Sequence, residues 1–175
     1  TRLAKYSADL YIKLEEETGI ATGVKQNGSL TVALTENRRE EILRQASMAK
    51  AFDVDANEIS VDDLKKLHPF LNTKGVKGAV HLPLDGQGDP GNIAMALAKG
   101  ARDLGVSIYE DTKVTSLNTH NGRVSGVNWK TAEESGSIKT DNAANCLGMW
   151  ARDFSYMHGV TVPLHACEHF YIVTE

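Results

Sequence analysis

Cysteine is scarce in this 175-residue chain: it has two, Cys146 and Cys167, which form no Cys-x-x-Cys pair and have no histidine at zinc-finger spacing. A structural zinc site and a disulfide framework are therefore not expected, and both side chains are expected as buried thiols. Positive charge is also sparse. No Lys/Arg cluster exceeds a pair, the net charge is −4 and the isoelectric point is ≈ 5.9, so the basic footprint of a nucleic-acid-binding surface is missing. No apolar run reaches the roughly 18 residues that a membrane-spanning helix needs. Internal repeats, low-complexity linkers and His/Cys/Asp/Glu sets with metal-ligand spacing are absent too. The opening Thr1-Arg2-Leu3-Ala4-Lys5 has neither an initiator Met nor a signal-peptide pattern, which leads us to expect a piece of a longer chain.

A hydrophobic content of 41% is enough for a substantial core, and the periodicity along the chain shows how it is distributed. Leu3, Tyr6, Leu10, Tyr11 and Leu14 share one helical face, and Gly19 is a stop signal after the Glu15 to Glu17 run. The turn pair Asn27-Gly28 precedes an alternating strand, Ser29 to Leu34, and Thr35 is placed to cap a helix from Glu36 to about Phe52. Ser60 with Asp63 resembles a capping box for a short helix ending at Leu67, before Pro69. Strand character returns at Val76 to Leu82. Further on, His120-Asn121-Gly122 between Val114 to Asn118 and Val124 to Trp129 is a hairpin signal, because Asn-Gly tolerates positive φ. Val106 to Tyr109, Ala143 to Leu147 and Cys167 to Thr174 read as further strands, and Trp150 to Met157 as one or two helical turns.

Gly86-Gln87-Gly88-Asp89-Pro90-Gly91 matches the G-x-G-x-x-G dinucleotide fingerprint, lies between a strand-like and a helix-like run, and is followed about 20 positions later by Glu110. Read that way, Gly86, Gly88 and Gly91 would form an NAD-binding turn. Three details oppose it. Pro83-Leu84-Asp85 separates the strand from the first glycine, Pro90 has no N–H to donate, and Asp89 would set a carboxylate beside a phosphate. Asp89 and Pro90 read instead as the N-cap and first residue of a helix running to about Leu104, with Gly105 as its stop. The expected class is thus mixed α/β: parallel-type units, Asp89 to Tyr109 and Ala143 to Cys146, joined to an antiparallel meander.

The strings Asn145-Cys146-Leu147-Gly148-Met149-Trp150-Ala151-Arg152 and Pro163-Leu164-His165-Ala166-Cys167-Glu168-His169-Phe170-Tyr171-Ile172-Val173-Thr174 resemble those of the flavin-dependent amine dehydrogenases related to dimethylglycine and sarcosine dehydrogenases. The blocks of that family occur here in the same order along nearly the whole chain. The second string is at least as similar to the regulatory subunit of pyruvate dehydrogenase phosphatase, a binding and regulatory relative. The resemblance implies a partial FAD-binding Rossmann-like domain with an inserted β-meander and an antiparallel substrate-binding sheet, lacking its N-terminal βαβ unit. It implies residues 1–88 as mainly substrate-binding, 89–160 as part of the FAD domain, and 161–175 as the start of another substrate-domain strand. The fingerprint and the histidine able to carry covalent FAD would lie upstream, so the isolated chain is expected to hold FAD weakly.

The same resemblance implies oxidative demethylation of a small N-methylated glycine-type amine, with the one-carbon unit released or passed to tetrahydrofolate in a downstream domain. The electron acceptor is not specified. The compartment would be the cytoplasm for a bacterial source and the mitochondrial matrix for a eukaryotic one. An uncovered sheet edge would favour self-association.

His169 and Tyr171 lie two apart on an expected strand and so share a face; the resemblance makes them the catalytic and substrate-binding pair, while a structural pair at a sheet edge is the other reading. His81 would approach the same substrate. Cys146, Leu147 and Gly148 would lie against the flavin, with Gly148 otherwise an ordinary strand-to-helix glycine. Trp150 would pack over the cofactor or fill the core. Val114 would offer its main chain to the adenine end or simply begin a strand. His68, His120, His158 and His165 fall in caps, turns or loops and are assigned no role.

Overall fold

The computed structural model describes residues 2–173, which divide into two compact units, one up to Ile108 and one from Tyr109 onward. In the first unit, α1 (Arg2–Thr18) ends at Gly19, whose φ of 73° is the left-handed conformation that glycine supplies without strain. α1 packs against α4 (Pro90–Asp103). β1 (Ser29–Ala33), β3 (Gly78–Leu82) and β2 (Asn57–Ile59) form an antiparallel sheet in that spatial order, with His81 opposite both Leu30 and Asn57.

Alternation on these strands separates the two sheet faces. Ala33 and Val80 pack with Ile42 and Ala46 of α2 (Glu36–Lys50) and with Ala56, forming the buried core, and Leu82 borders it. Arg39 of α2 lays its aliphatic stem over Gly78, where a β-carbon would come within 2.8 Å of Cγ, and reaches Glu58 of β2 at 2.7 Å. α2 begins where expected: the Thr35 hydroxyl accepts from the Arg38 N–H at 3.2 Å. α3 (Val61–Leu67) starts with a reciprocal cap, Ser60 Oγ accepting from the Asp63 N–H at 3.1 Å and donating to the Asp63 carboxylate at 2.6 Å. Its Leu64 is wholly buried.

The second unit is built on an antiparallel meander, β4 (Lys113–His120), β5 (Arg123–Lys130) and β6 (Ser135–Lys139). Its first turn is two residues, Asn121 at φ 51° and Gly122 at φ 74°, both positive as a type I′ turn requires. One face carries a polar ladder: Asn118 and Asn128 exchange amide hydrogen bonds at 3.0 and 2.8 Å, and Ser116 and Ser137 accept from them. A 3-10 turn (Gly148–Trp150) leads into α5 (Ala151–Tyr156), and these are the helical turns expected after Gly148.

Three expected strands do not form. Val106 to Tyr109, Ala143 to Leu147 and Cys167 to Val173 are exposed and irregular, and Thr174 lies outside the described residues, as do Thr1 and Glu175. A strand is stable only with a ladder partner, and no described residue pairs with these segments; both sheets are antiparallel, and no parallel pair occurs among the described residues. Cys146 and Cys167 lie in these segments, so the expectation of buried thiols is corrected: both are free and exposed. The short strand β2 was not foreseen.

Candidate functional site

The hexapeptide at Gly86 turns out to be a buttressed turn. Its backbone is held by the preceding segment: Gln87 and Lys25 exchange both main-chain hydrogen bonds, at 3.0 and 2.8 Å, and the Asp89 N–H donates to the Thr22 carbonyl at 3.0 Å. The Gly86 N–H is taken by the Asp85 carboxylate at 2.9 Å, and the Asp89 carboxylate accepts from the Asn92 N–H at 3.0 Å, capping α4. The amides of Gly86, Gln87, Asp89 and Asn92 are thus occupied and not free for a pyrophosphate, and Pro90 has none. The glycines have a different reason to be there. A β-carbon at Gly86 would collide with the Lys25 carbonyl oxygen, and one at Gly88 would reach 2.9 Å from Ile93 Cδ1 and 3.0 Å from Val24 Cγ2. They permit two chain segments to pass closely, so the NAD reading of Gly86, Gly88 and Gly91 has no geometric support.

His81 is the sequence-derived candidate in the first unit. It is half-buried on the sheet face opposite α2, with its imidazole over Gly28, where a β-carbon would come within 2.8 Å of Nε2. On the other face, a recess of about 510 Å³ lies between α1, α2 and the end of β3, lined by Lys5, Asp9, Met48, Leu82 and Asp85 among others. Leu82 borders that recess, so strand alternation directs His81 away from it.

The remaining candidates belong to the second unit. Val114, the second residue of β4, lies opposite Trp129 and lines a recess of about 510 Å³ on the apolar face of the meander, with Val127, Trp129 and Ile138. The indole of Trp129 lies over Gly136, where a β-carbon would come within 2.7 Å of it. His169 and Tyr171 lie on the unpaired, exposed run before Val173, so the shared strand face expected for them is not formed.

Cys146, Leu147 and Gly148 form an exposed loop that leads into the 3-10 turn, and Trp150 at its end is 68% exposed instead of filling the core. Gly148 adopts φ 54°, and a β-carbon there would meet nothing within 4 Å. The N–H groups of Cys146 and Gly148 have no partner among the described residues. An open edge with free peptide donors and a left-handed glycine suits the close approach of a flat, hydrogen-bonding cofactor, and in this respect the residues fit FAD.

Two residues that composition and spacing did not single out organise this region. Asn145 donates to the Ala151 carbonyl at 3.2 Å and to Ser155 Oγ at 2.9 Å, while its Oδ1 accepts from the Leu147 N–H at 3.1 Å. An Asn two residues before a bonded N–H is the mark of an Asx-turn, and that signal was available in the sequence. His158, left without a role from sequence, accepts the Leu117 N–H through Nε2 at 3.2 Å and packs its ring against Phe154 at 5.1 Å. β4 is an edge strand of the meander, where alternate N–H groups face away from the neighbouring strand, and no sequence pattern announced that His158 would meet the Leu117 amide.

Exposed pairs on the helix surfaces perturb three titratable groups. A hydrogen bond from Arg38 holds the Glu41 carboxyl below its usual range, and Lys66, then Ser60, do the same for Asp63; Asp63 in turn raises the Lys66 ammonium. No group of three or more His, Cys, Asp or Glu able to hold a metal ion occurs among the described residues, and no described helix is long and apolar enough to cross a membrane.

The two antiparallel sheets with their helices make this a mixed α/β chain, the class expected from its sequence. The profile of the family described as "FAD dependent oxidoreductase" matches residues 1–175, and the chain belongs to that family. It is 37% identical over 175 residues to the mitochondrial pyruvate dehydrogenase phosphatase regulatory subunit of Mus musculus, covering 99% of this chain and 20% of that protein. It is 38% identical over 168 residues to the mitochondrial sarcosine dehydrogenase of Homo sapiens, covering 93% of this chain and 18% of that protein. The chain therefore spans about a fifth of the length of these curated relatives. Among solved structures, L-proline dehydrogenase from P. horikoshii matches with a TM-score of 0.76 and 28% identity over 91% of this chain and 41% of that one.

Proposed function

We propose that this chain is an internal part of a longer FAD-dependent enzyme that oxidatively demethylates a small N-methylated glycine-type amine, sarcosine or dimethylglycine. Family membership and the likeness to a sarcosine dehydrogenase support the reaction class. The observation that carries the local reading is the open loop Cys146-Leu147-Gly148, whose free N–H groups are available to a cofactor. Bound FAD would supply the acceptor for the hydride equivalent leaving the carbon next to the amine nitrogen.

In this reading the chain's own residues bind and orient. The N–H groups of Cys146 and Gly148 hold the cofactor edge, Trp150 covers it, and the main chain at Val114 meets its adenine end. Tyr171 donates to the substrate carboxylate, His169 takes a proton from the amine nitrogen, and His81 contributes to substrate binding. Residues 1–88 serve mainly the substrate, 89–160 the FAD domain, and 161–175 begin a further substrate-domain strand. A downstream tetrahydrofolate domain would receive the one-carbon unit, and the compartment would be the matrix or the bacterial cytoplasm according to source. The unpaired edges and the exposed Phe170 to Val173 run favour self-association of the isolated chain; a monodisperse monomer by light scattering would count against it.

A second reading is favoured by the 37% identity to the phosphatase regulatory subunit: a flavin-binding regulatory relative without turnover. Anaerobic addition of sarcosine or dimethylglycine to the complete protein separates the two. Bleaching of a visible flavin band supports the enzyme, a flavin band that no amine reduces supports the regulator, and absence of any flavin refutes both.

A further inference from the structure

We infer that Asn145 is a positioning residue for the cofactor-facing loop, setting the direction of the Cys146 and Gly148 N–H groups by holding the Cys146–Leu147 peptide that lies between theirs. The inference rests on the proposed flavin contact of that loop.

The loop has few restraints and Asn145 supplies the central one. The Leu147 N–H donates to Asn145 Oδ1 at 3.1 Å, which holds the Cys146–Leu147 peptide, and the Leu147 carbonyl accepts from the Trp150 N–H at 3.1 Å, which holds the following Leu147–Gly148 peptide. The Gly148 carbonyl accepts from the Ala151 N–H. The N–H groups of Cys146 and Gly148 flank these restraints without a partner among the described residues, and a β-carbon at Gly148 would meet nothing within 4 Å.

The Asn145 carboxamide cannot rotate without loss. Its Nδ2 donates to the Ala151 carbonyl and to Ser155 Oγ, on a residue buried to 8% exposure, while its oxygen faces an N–H. Turning the amide over would set oxygen against the Ala151 carbonyl and NH₂ against the Leu147 N–H, two like-with-like contacts. One side chain thus ties the loop to the first turn of α5. An aspartate could keep the acceptor for Leu147 and lose both donors to α5, and an alanine would lose all three bonds.

The complete protein tests this with Asn145→Ala, Asn145→Asp and Ser155→Ala, read by the position of the bound flavin's visible band, by KM and kcat, and by thermal melting. Loss of the Leu147 restraint in Asn145→Ala should move the band and lower kcat at least tenfold with a smaller change in KM. Asn145→Asp and Ser155→Ala, which weaken only the anchor to α5, should melt earlier while keeping the band. A purely structural role would lower the melting temperature in all three and move the band in none, which overturns the inference. An equal band shift in Ser155→Ala overturns it as well. If Asn145→Ala does not fold, the near-isosteric Asn145→Leu, which also lacks all three bonds, takes its place: a band shifted there and unmoved in Asn145→Asp and Ser155→Ala supports the assignment to the Cys146–Leu147 peptide, and a band unmoved in Asn145→Leu refutes it. Absence of flavin from the wild-type protein sinks the underlying reading, whereas flavin present with an unmoved band in Asn145→Ala sinks only the role of Asn145.

Discussion

Replacing the three glycines of the hexapeptide by alanine, one at a time, distinguishes a packing role from a phosphate-binding one. At Gly86 the new methyl would be driven into the Lys25 carbonyl oxygen, with Lys25 C at 2.8 Å and Gln26 Cα at 3.0 Å. These are backbone atoms that no rotamer change can move, so the two segments must separate, and the paired bonds between Lys25 and Gln87 weaken with them. Steric overpacking costs about 1–3 kcal/mol, and each lost hydrogen bond about 1 kcal/mol more, so Gly86→Ala should cost about 2–4 kcal/mol. At Gly88 the clash is with Ile93 Cδ1 and Val24 Cγ2, the movable ends of side chains, and the loss should be about 1 kcal/mol. At Gly91, inside the first turn of α4, the contact is only Asp89 Oδ1 at 3.3 Å. The higher helix propensity of alanine should there leave stability unchanged or raise it by up to about 1 kcal/mol. Urea unfolding gives the ranking, and hydrogen exchange at the Gln87 and Asp89 amides reports whether the buttress opens locally. Three variants that unfold alike but lose cofactor in parallel would refute the packing argument and restore the fingerprint.

Gly122→Ala meets no neighbouring atom, so its cost is purely conformational: forcing alanine to φ 74° should lower stability by about 1–2 kcal/mol, seen as a lower urea midpoint with an unchanged m-value, and no change would place the turn elsewhere. Because Lys66 and Ser60 depress the Asp63 carboxyl below its value in the unfolded chain, the stability it contributes is present above the ordinary carboxylate range and is lost as pH falls through the depressed value. Asp63→Asn should therefore flatten the acid limb of a stability-against-pH curve. Identical limbs for wild type and variant would show that solvent screens the pair at this exposed site.

The local features that were legible have local causes. Thr35, Ser60 and Asp89 cap their helices as their spacing indicated, because a side-chain oxygen and an N–H three residues on are brought together by the first helical turn itself. Asn121-Gly122 turns the meander because positive φ is a property of those two residues. The amine-dehydrogenase resemblance likewise came from contiguous strings, and the family assignment agrees with it.

What one segment does to a distant one was decided by the tertiary structure. Val106 to Tyr109, Ala143 to Leu147 and Cys167 onward have strand-like composition, but hydrogen bonding of a strand is completed by a neighbour and not by the strand, and none of the described residues provides one. The glycines of the hexapeptide were visible in the sequence, and so were the arguments against a phosphate there. That they are small because Val24 and Lys25 pass beside them required contacts across some 60 positions, which no local pattern encodes. His158 was set aside as a loop residue until the folded chain set its ring against edge strand β4, where it accepts the Leu117 N–H. Sequence by itself determined the caps, the turns and the family; the folded chain decided which of its conspicuous residues are scaffolding, because close approach and hydrogen-bond completion exist only between segments that folding brings together.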